Sequence, residues 1–263
     1  LPTGNLDETV AYLNDDAFDD DYTVAWIDGL ATGASLGRGV FMRGHHAAVD
    51  ELPERLRTNP LQIPGRGEHR VPFDFPGWFL NPLLLRAFNA LYYRRQGARR
   101  APFVTDYTSF FHPLDVVGDW NRLYGRAGFL QYQCVVPADG GKDVVRTILD
   151  RLASQGQGSF LAVLKKFGDA GKGLLSFPMR GYTLAVDIPR RDGALFALLD
   201  ELDREVIDCG GRIYLAKDAR LSPERFRAMY PGYVDWYRVK RELDPDWVFS
   251  SSLSRRLFME EGP

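Results

Sequence analysis

The chain has 263 residues, 45% hydrophobic and 26% charged, which suffices for one large or two small domains with real cores. Thirty-three Lys and Arg against thirty-five Asp and Glu leave a net charge of −2, which excludes a global electrostatic pull toward nucleic acid. Cys134 and Cys209 are too few for a disulfide framework, and no Cys/His spacing suggests a metal site. No apolar run of roughly 18 residues and no secretory signal is visible, so the chain reads as cytoplasmic or peripheral to the inner membrane. It opens on Leu1 rather than Met, in a sequence already organised, and is expected to be a fragment whose natural N-terminal part is missing.

Asp7 to Leu13 predicts a short helix. Asn14 to Asp21 carries Asp15, Asp16, Asp19, Asp20 and Asp21 without the glycine turn and terminal glutamate of a calcium loop, and reads as a solvated acidic loop. Tyr22 to Ile27 reads as a strand, with Gly39 to Arg43 as its partner. Prolines crowd residues 51–80 (Pro53, Pro60, Pro64, Pro72, Pro76, with Pro82 just beyond), which marks loop. Leu84, Phe88, Leu91 and Tyr92, at i, i+4, i+7 and i+8, predict a helix from about Pro82 to Arg95. Its basic end, Arg94, Arg95, Arg99 and Arg100, reads either as solvated cations at the negative end of the helix dipole or as a membrane-surface contact.

From Ala127 to Tyr214 the pattern is clearest. Phe129–Val136 is a strand bounded by Pro137, and Lys142–Ser154 a helix with Val145, Ile148, Leu149 and Leu152 on one face. Phe160–Phe167 and Tyr182–Ile188 are strands. Ala194–Cys209 is a helix with Leu195, Leu198, Leu199, Leu202 and Val206 inward, stopped at Gly210-Gly211, and Arg212–Leu215 is a last short strand. The predicted class is α+β: an antiparallel sheet with a ferredoxin-like βαββαβ core, its helices on one face, followed by a C-terminal helical segment. Right-handed crossovers put both core helices on the same side of the sheet. In that segment Ser222 and Pro223 open one helix, Gly232–Leu243 is a second and Phe249–Phe258 a third.

Alternation along these strands states what the opposite face carries. With the helices over the apolar sides, Gln131, Gln133, Lys165, Phe167 and Thr183 are left on the open face, a set suited to a ligand floor. Lys165 alone is read either as a snorkelling edge lysine or as a pocket amine. Gly168–Gly173 lacks phosphate-loop spacing and reads as a hairpin loop, and Gly33 to Gly39 fails as a dinucleotide fingerprint. His45, His46, His69 and His112 show no metal spacing; His112 is set apart by its aromatic neighbours Phe110 and Phe111.

The segment Gly210-Gly211-Arg212-Ile213-Tyr214-Leu215-Ala216-Lys217-Asp218-Ala219-Arg220, with Met229-Tyr230-Pro231 beyond it, resembles the C-terminal signature of the decaprenylphosphoryl-ribose oxidase family. So do Phe111-His112-Pro113-Leu114-Asp115, Asp119-Trp120-Asn121-Arg122, Gly128–Gln133, Leu175-Ser176-Phe177-Pro178, Val186-Asp187 and Ser254-Arg255-Arg256-Leu257. The resemblance runs from about Ser109 to Leu257 and is looser before, where Ala25-Trp26-Ile27-Asp28 matches best.

That resemblance implies a vanillyl-alcohol-oxidase fold and an FAD-dependent oxidation of the 2′-hydroxyl of a ribose on a polyprenyl phosphate, with a partner keto-reductase completing an epimerisation. By position, it implies Lys217 and Tyr214 as the catalytic pair and Tyr214, Ala216 and Lys217 against the flavin. Trp26, His112, Gln131, Gln133, Lys165, Phe167, Thr183 and Lys217 would contact the lipid-linked substrate. Ala185 stands where the family has a pocket cysteine. The family's N-terminal FAD domain has no counterpart, so residues 1–211 are expected to form the substrate domain and residues 212–263 a return into the FAD domain. Such a piece would bind FAD weakly or not at all, and would not catalyse alone. The rival readings are another FAD-linked carbohydrate or alcohol oxidase of the same fold, and a cofactor-free ferredoxin-like binding module.

Overall fold

A computed structural model describes residues 1–18, 20–63, 69–99, 102–112, 117–190 and 193–258. Asp19 of the acidic run, Pro64 of the proline-rich stretch, Arg100 of the basic helix end and Pro113-Leu114-Asp115 lie outside the described residues. The strands are β1 (Pro2–Thr3), β2 (Tyr22–Ile27), β3 (Gly39–Gly44), β4 (His69–Arg70), β5 (Val117–Gly118), β6 (Phe129–Pro137), β7 (Ala162–Phe167), β8 (Gly181–Pro189) and β9 (Arg212–Ile213). The helices are α1 (Leu6–Leu13), α2 (Glu54–Arg57), α3 (Pro82–Gly97), α4 (Tyr107–Phe111), α5 (Ala138–Ser154), α6 (Gly193–Asp208), α7 (Pro223–Met229), α8 (Tyr233–Leu243) and α9 (Ser252–Phe258). No helix among the described residues is long and apolar enough to cross a membrane.

Seven strands form one antiparallel sheet in the order β1-β3-β2-β7-β8-β6-β9. Its long central pair, β6 with β8, runs from Phe129↔Pro189 to Pro137↔Gly181 without a slip in register. The chain order β6-α5-β7-β8-α6-β9 is woven through this sheet so that α5 and α6 cross on the same side. Tyr132, Cys134, Val136, Leu164, Leu184, Val186 and Ile188 all point to that side and are buried with Ile148 and Leu149 of α5 and Leu195, Leu199 and Leu202 of α6. Each such side chain removed from water is worth roughly 1.5–3 kcal/mol, so this layer anchors the sheet beneath the site. α1 joins the same layer through Leu6, Val10 and Leu13, and Phe226, Met229, Leu257 and Phe258 of α7 and α9 close its other end. Helix α6 stops in a Schellman motif: Gly210 has φ 77°, and the amides of Gly210 and Gly211 bond the carbonyls of Ile207 and Val206 at 2.8 Å.

The core helices α5 and α6 keep to one face as expected, but the opposite face is not left wholly open. Trp26 points away from Ala25 and Ile27, to the far side of the sheet, and there Tyr92 of α3 meets its ring at 4.6 Å. Asn89 of α3 donates to the carboxylate of Asp28 at 2.7 Å, and Phe111 of α4 packs edge-on against Tyr22 of β2 at 4.8 Å. Helices α3 and α4 therefore cover the β2 end of the second face; among the described residues its β7-β8-β6 part meets no α-helix, although Tyr124 of the 3-10 helix Trp120–Tyr124 stacks on Phe129 at its edge at 4.4 Å. The apolar stripe of α3 is also turned mostly outward: Leu85 and Asn89 are buried, whereas Phe88 is 49% and Leu91 67% exposed.

Candidate functional site

Register lays one row of residues across the second face. Trp26 pairs with Val163, Val163 with Ala185, and Ala185 with Gln133. The row continues past the last strand, because the amide of Tyr214 donates to the carbonyl of Gln133 at 2.8 Å. A neighbouring row runs Lys165, Thr183, Val135 and Arg212, and on the other side Gln131 pairs with Asp187. Alternation then puts Gln131, Gln133, Lys165, Phe167 and Thr183 on this same face. Lys165 is exposed. Phe167 meets Phe177 edge-on at 6.0 Å, and Phe177 stacks on Tyr214 at 4.5 Å, which joins the floor to the chain after β9.

The floor's polar groups are tied to one another. Gln133 Nε2 donates to Thr183 Oγ1 at 3.2 Å, and that hydroxyl donates to the carbonyl of Cys134 at 2.9 Å. Gln131 Nε2 donates to Asp187 Oδ1 at 2.6 Å. Trp26 lies in the row but is buried, its indole N–H spent on the carbonyl of Phe160 at 2.9 Å, so it offers a wall rather than a donor. His112 stands apart: it is exposed at the end of α4 beside Phe111, and no contact joins it to the floor among the described residues.

Lys217 sits on a tight loop, its amide bonded to the Tyr214 carbonyl at 3.0 Å, and both Ala216 and Lys217 are exposed. The loop is clamped from behind. Asp218 Oδ1 accepts from the amides of Arg220 (3.0 Å) and Leu221 (2.9 Å), and its Oδ2 accepts from Arg256 of α9 at 2.7 Å. Arg220 in turn bridges Asp200 at 2.6 Å and the buried Asp203 at 2.8 Å, both on α6, and Arg225 also bonds Asp200. Lys217 and Gln131 line one small cleft together with Leu130 and Asp218. An amine held at the lip of a floor that carries two amides can bind an anion or stabilise negative charge that develops above it.

Asp187 is the functional candidate that residue patterns missed. It is 0% exposed, and its Oδ2 has no hydrogen-bond partner of good geometry among the described residues, although the Tyr124 hydroxyl lies nearby. Burial pushes its carboxyl up to about 6, opposed by the Gln131 hydrogen bond and the charge of Lys217. Burial also raises the Tyr124 phenol, and the Asp187 charge adds to it. The available signal was alternation itself, since Asp187 follows Thr183 and Ala185 at a spacing of two on β8.

No model of a known protein family matches the sequence. Over 256 residues (97% of the chain) it is 42% identical to decaprenylphosphoryl-beta-D-ribose oxidase of Mycolicibacterium smegmatis, and it covers 55% of that protein. It is also 36% identical over 259 residues (96% of the chain) to an uncharacterised protein in the mprA 5′ region of Streptomyces coelicolor, of which it covers 70%. The chain thus spans about half the length of the oxidase and over two thirds of the Streptomyces protein. By this similarity, sustained over nearly all of its length, the chain belongs to the decaprenylphosphoryl-beta-D-ribose oxidase family.

Proposed function

We propose that the chain is the substrate-binding part of an FAD-dependent oxidoreductase that oxidises the 2′-hydroxyl of a ribose carried on a polyprenyl phosphate. The observation that supports this best is the row Trp26–Val163–Ala185–Gln133, extended by Tyr214 and flanked by the amines of Lys165 and Lys217, in a chain 42% identical to a decaprenylphosphoryl-beta-D-ribose oxidase. In this reading Gln131 and Gln133 hold sugar hydroxyls, and Trp26 and Phe167 wall the pocket. The exposed amine of Lys165 meets the phosphate as a point charge.

The residues after β9 fit a flavin: Tyr214 offers a flat ring stacked on Phe177, and Lys217 a cation at the head of a clamped loop. Tyr214, Ala216 and Lys217 would hold it, with most of its contacts supplied by the rest of the protein. When bound, FAD supplies the acceptor for the substrate's hydride. Lys217 holds positive charge beside the reacting centre, where it stabilises the negative charge that oxidation develops. Residues 1–211 then act as the substrate domain and 212–263 as a return toward the flavin-binding domain. The strand order β7-β8-β6-β9 supports reading the core as ferredoxin-like.

The oxidation yields a keto-sugar, so a keto-reductase is the expected partner. A lipid-linked substrate also suits a protein peripheral to the inner membrane. The exposed Leu83, Leu84, Phe88 and Leu91 of α3, followed by Arg94 and Arg95, are the element we assign to that contact. The test is the visible spectrum of the complete gene product before and after anaerobic addition of farnesylphosphoryl-β-D-ribose. A flavin band that bleaches is the expected result. A band that persists refutes the sugar assignment, and no band refutes the flavin.

A further inference from the structure

The polar groups of the floor form two short chains of hydrogen bonds, and each chain has a direction. A carboxylate only accepts, so the 2.6 Å contact between Gln131 and Asp187 fixes which end of the Gln131 amide faces inward: the NH2 group points to Asp187. The Thr183 hydroxyl has one proton, and it goes to the Cys134 carbonyl at 2.9 Å. Thr183 Oγ1 must therefore accept from Gln133, whose NH2 group is turned inward as well, at 3.2 Å. Asp187 and Thr183 are both buried, at 0% and 2% exposure, so neither is reached by solvent that could scramble these orientations. Gln131 and Gln133 are half-buried, and their side-chain Oε1 atoms meet no donor among the described residues.

We propose that Asp187 and Thr183 are positioning residues that turn both glutamine carbonyls toward the ligand, making the floor an acceptor pair for sugar hydroxyls. The ligand class this selects is a polyol bearing neighbouring hydroxyl donors. A phosphate oxygen, which can only accept, is turned away by two carbonyls and is left to Lys165 and Lys217. The floor thereby sorts the two ends of a sugar phosphate by hydrogen-bond polarity. This rests on the ribose reading above for the identity of the sugar, though the amide orientation does not.

Two measurements on the complete protein separate the parts. In the first, glutamine side chains are labelled with 15N. The Gln131 and Gln133 amides should each show a proton shifted downfield and protected from exchange. Asp187→Asn and Thr183→Ser, which keep an acceptor at each place, should preserve those signals. Asp187→Leu should lose the first and Thr183→Val the second. Unprotected amides in the wild type overturn the orientation whatever the ligand is.

In the second, affinities are measured for farnesylphosphoryl-β-D-ribose and for its 2,3-dideoxyribose counterpart. The wild type should favour the hydroxylated probe by roughly tenfold, the worth of one or two net hydrogen bonds. Asp187→Asn and Thr183→Ser should retain that ratio, whereas Asp187→Leu and Thr183→Val should each cut it by roughly threefold or more. A merely structural role would weaken both probes alike and leave the ratio unchanged, which overturns the positioning role. A wild type that binds neither probe overturns the ribose reading and with it the use of these carbonyls, while the amide signals still decide their orientation.

Discussion

Replacing Asp187 with asparagine should stabilise the protein at neutral pH and do so less and less as the pH falls. The carboxyl is fully buried and its pKa rises from 3.8 to about 6, so the folded state keeps its proton over a range in which the unfolded chain has lost it. Folding therefore costs nothing at this site below about pH 4 and carries the full cost of a buried charge above about pH 6. A rise from 3.8 to about 6 corresponds to roughly 3 kcal/mol as a ceiling. Asparagine is isosteric, carries no charge and leaves an oxygen to accept from Gln131. Its new amide lies where Oδ2 now finds no partner, and burying that group returns about 1 kcal/mol. The expected gain is thus about 2 kcal/mol at pH 8, shrinking through zero between pH 6 and pH 4. Urea unfolding followed by circular dichroism at pH 4.5, 6 and 8 measures it. A difference between variant and wild type that does not change with pH would refute the argument, because it would mean that Asp187 titrates alike in both states.

Lys165→Met should abolish turnover in the flavin-loaded protein and leave urea stability within about 0.5 kcal/mol, since the side chain is exposed; retained turnover counts against its substrate role. Arg256→Gln removes the cation from the buried Asp218 and should cost about 1–3 kcal/mol in urea unfolding. A neutral result would mean that the Lys217 loop is held by its backbone alone. Arg94→Glu together with Arg95→Glu should weaken co-sedimentation with vesicles containing anionic lipid, each charge being worth about 1 kcal/mol near such a surface. Sedimentation indifferent to the change ends the membrane assignment for α3.

The elements with one clean period could be read from sequence. Helices α5 and α6 lie within a few residues of their predicted spans, because Ile148, Leu149, Leu195 and Leu202 mark a single inward face. The same alternation that put Tyr132, Cys134 and Leu184 in the core put Gln131, Gln133, Lys165 and Thr183 opposite, and antiparallel register brought them side by side. The orientation of α3 was hidden because its inward face includes Asn89, and that polar residue is explained by Asp28 and the Ser159 carbonyl, 61 and 70 positions away. The fixed indole of Trp26 was hidden for a similar reason: the carbonyl that takes its N–H belongs to Phe160, 134 positions away. His112 shows the reach of a motif match, which aligns residues along the chain but fixes no distance between them. Asp187 was not singled out because a lone carboxylate near the end of an apolar strand shows no partner in sequence, and Gln131, which bonds it, lies 56 positions away.

The centre of the floor is a methyl group, and this makes the molecule a poor target for electrophiles. Ala185 lies between Val163 and Gln133, so a reagent lodged over the row finds no sulfur there to attack. The chain's thiols give no substitute. Cys134 points into the opposite core with its thiol pushed up to about 12 by burial, and burial also raises half-buried Cys209, beside the end of α6. Burial thus leaves both with less of the thiolate that alkylation needs at neutral pH than a free cysteine has. Inhibitors built around a warhead should therefore gain little from it at this floor, and intact-mass analysis after exposure to iodoacetamide should find the folded chain alkylated far more slowly than the urea-unfolded chain.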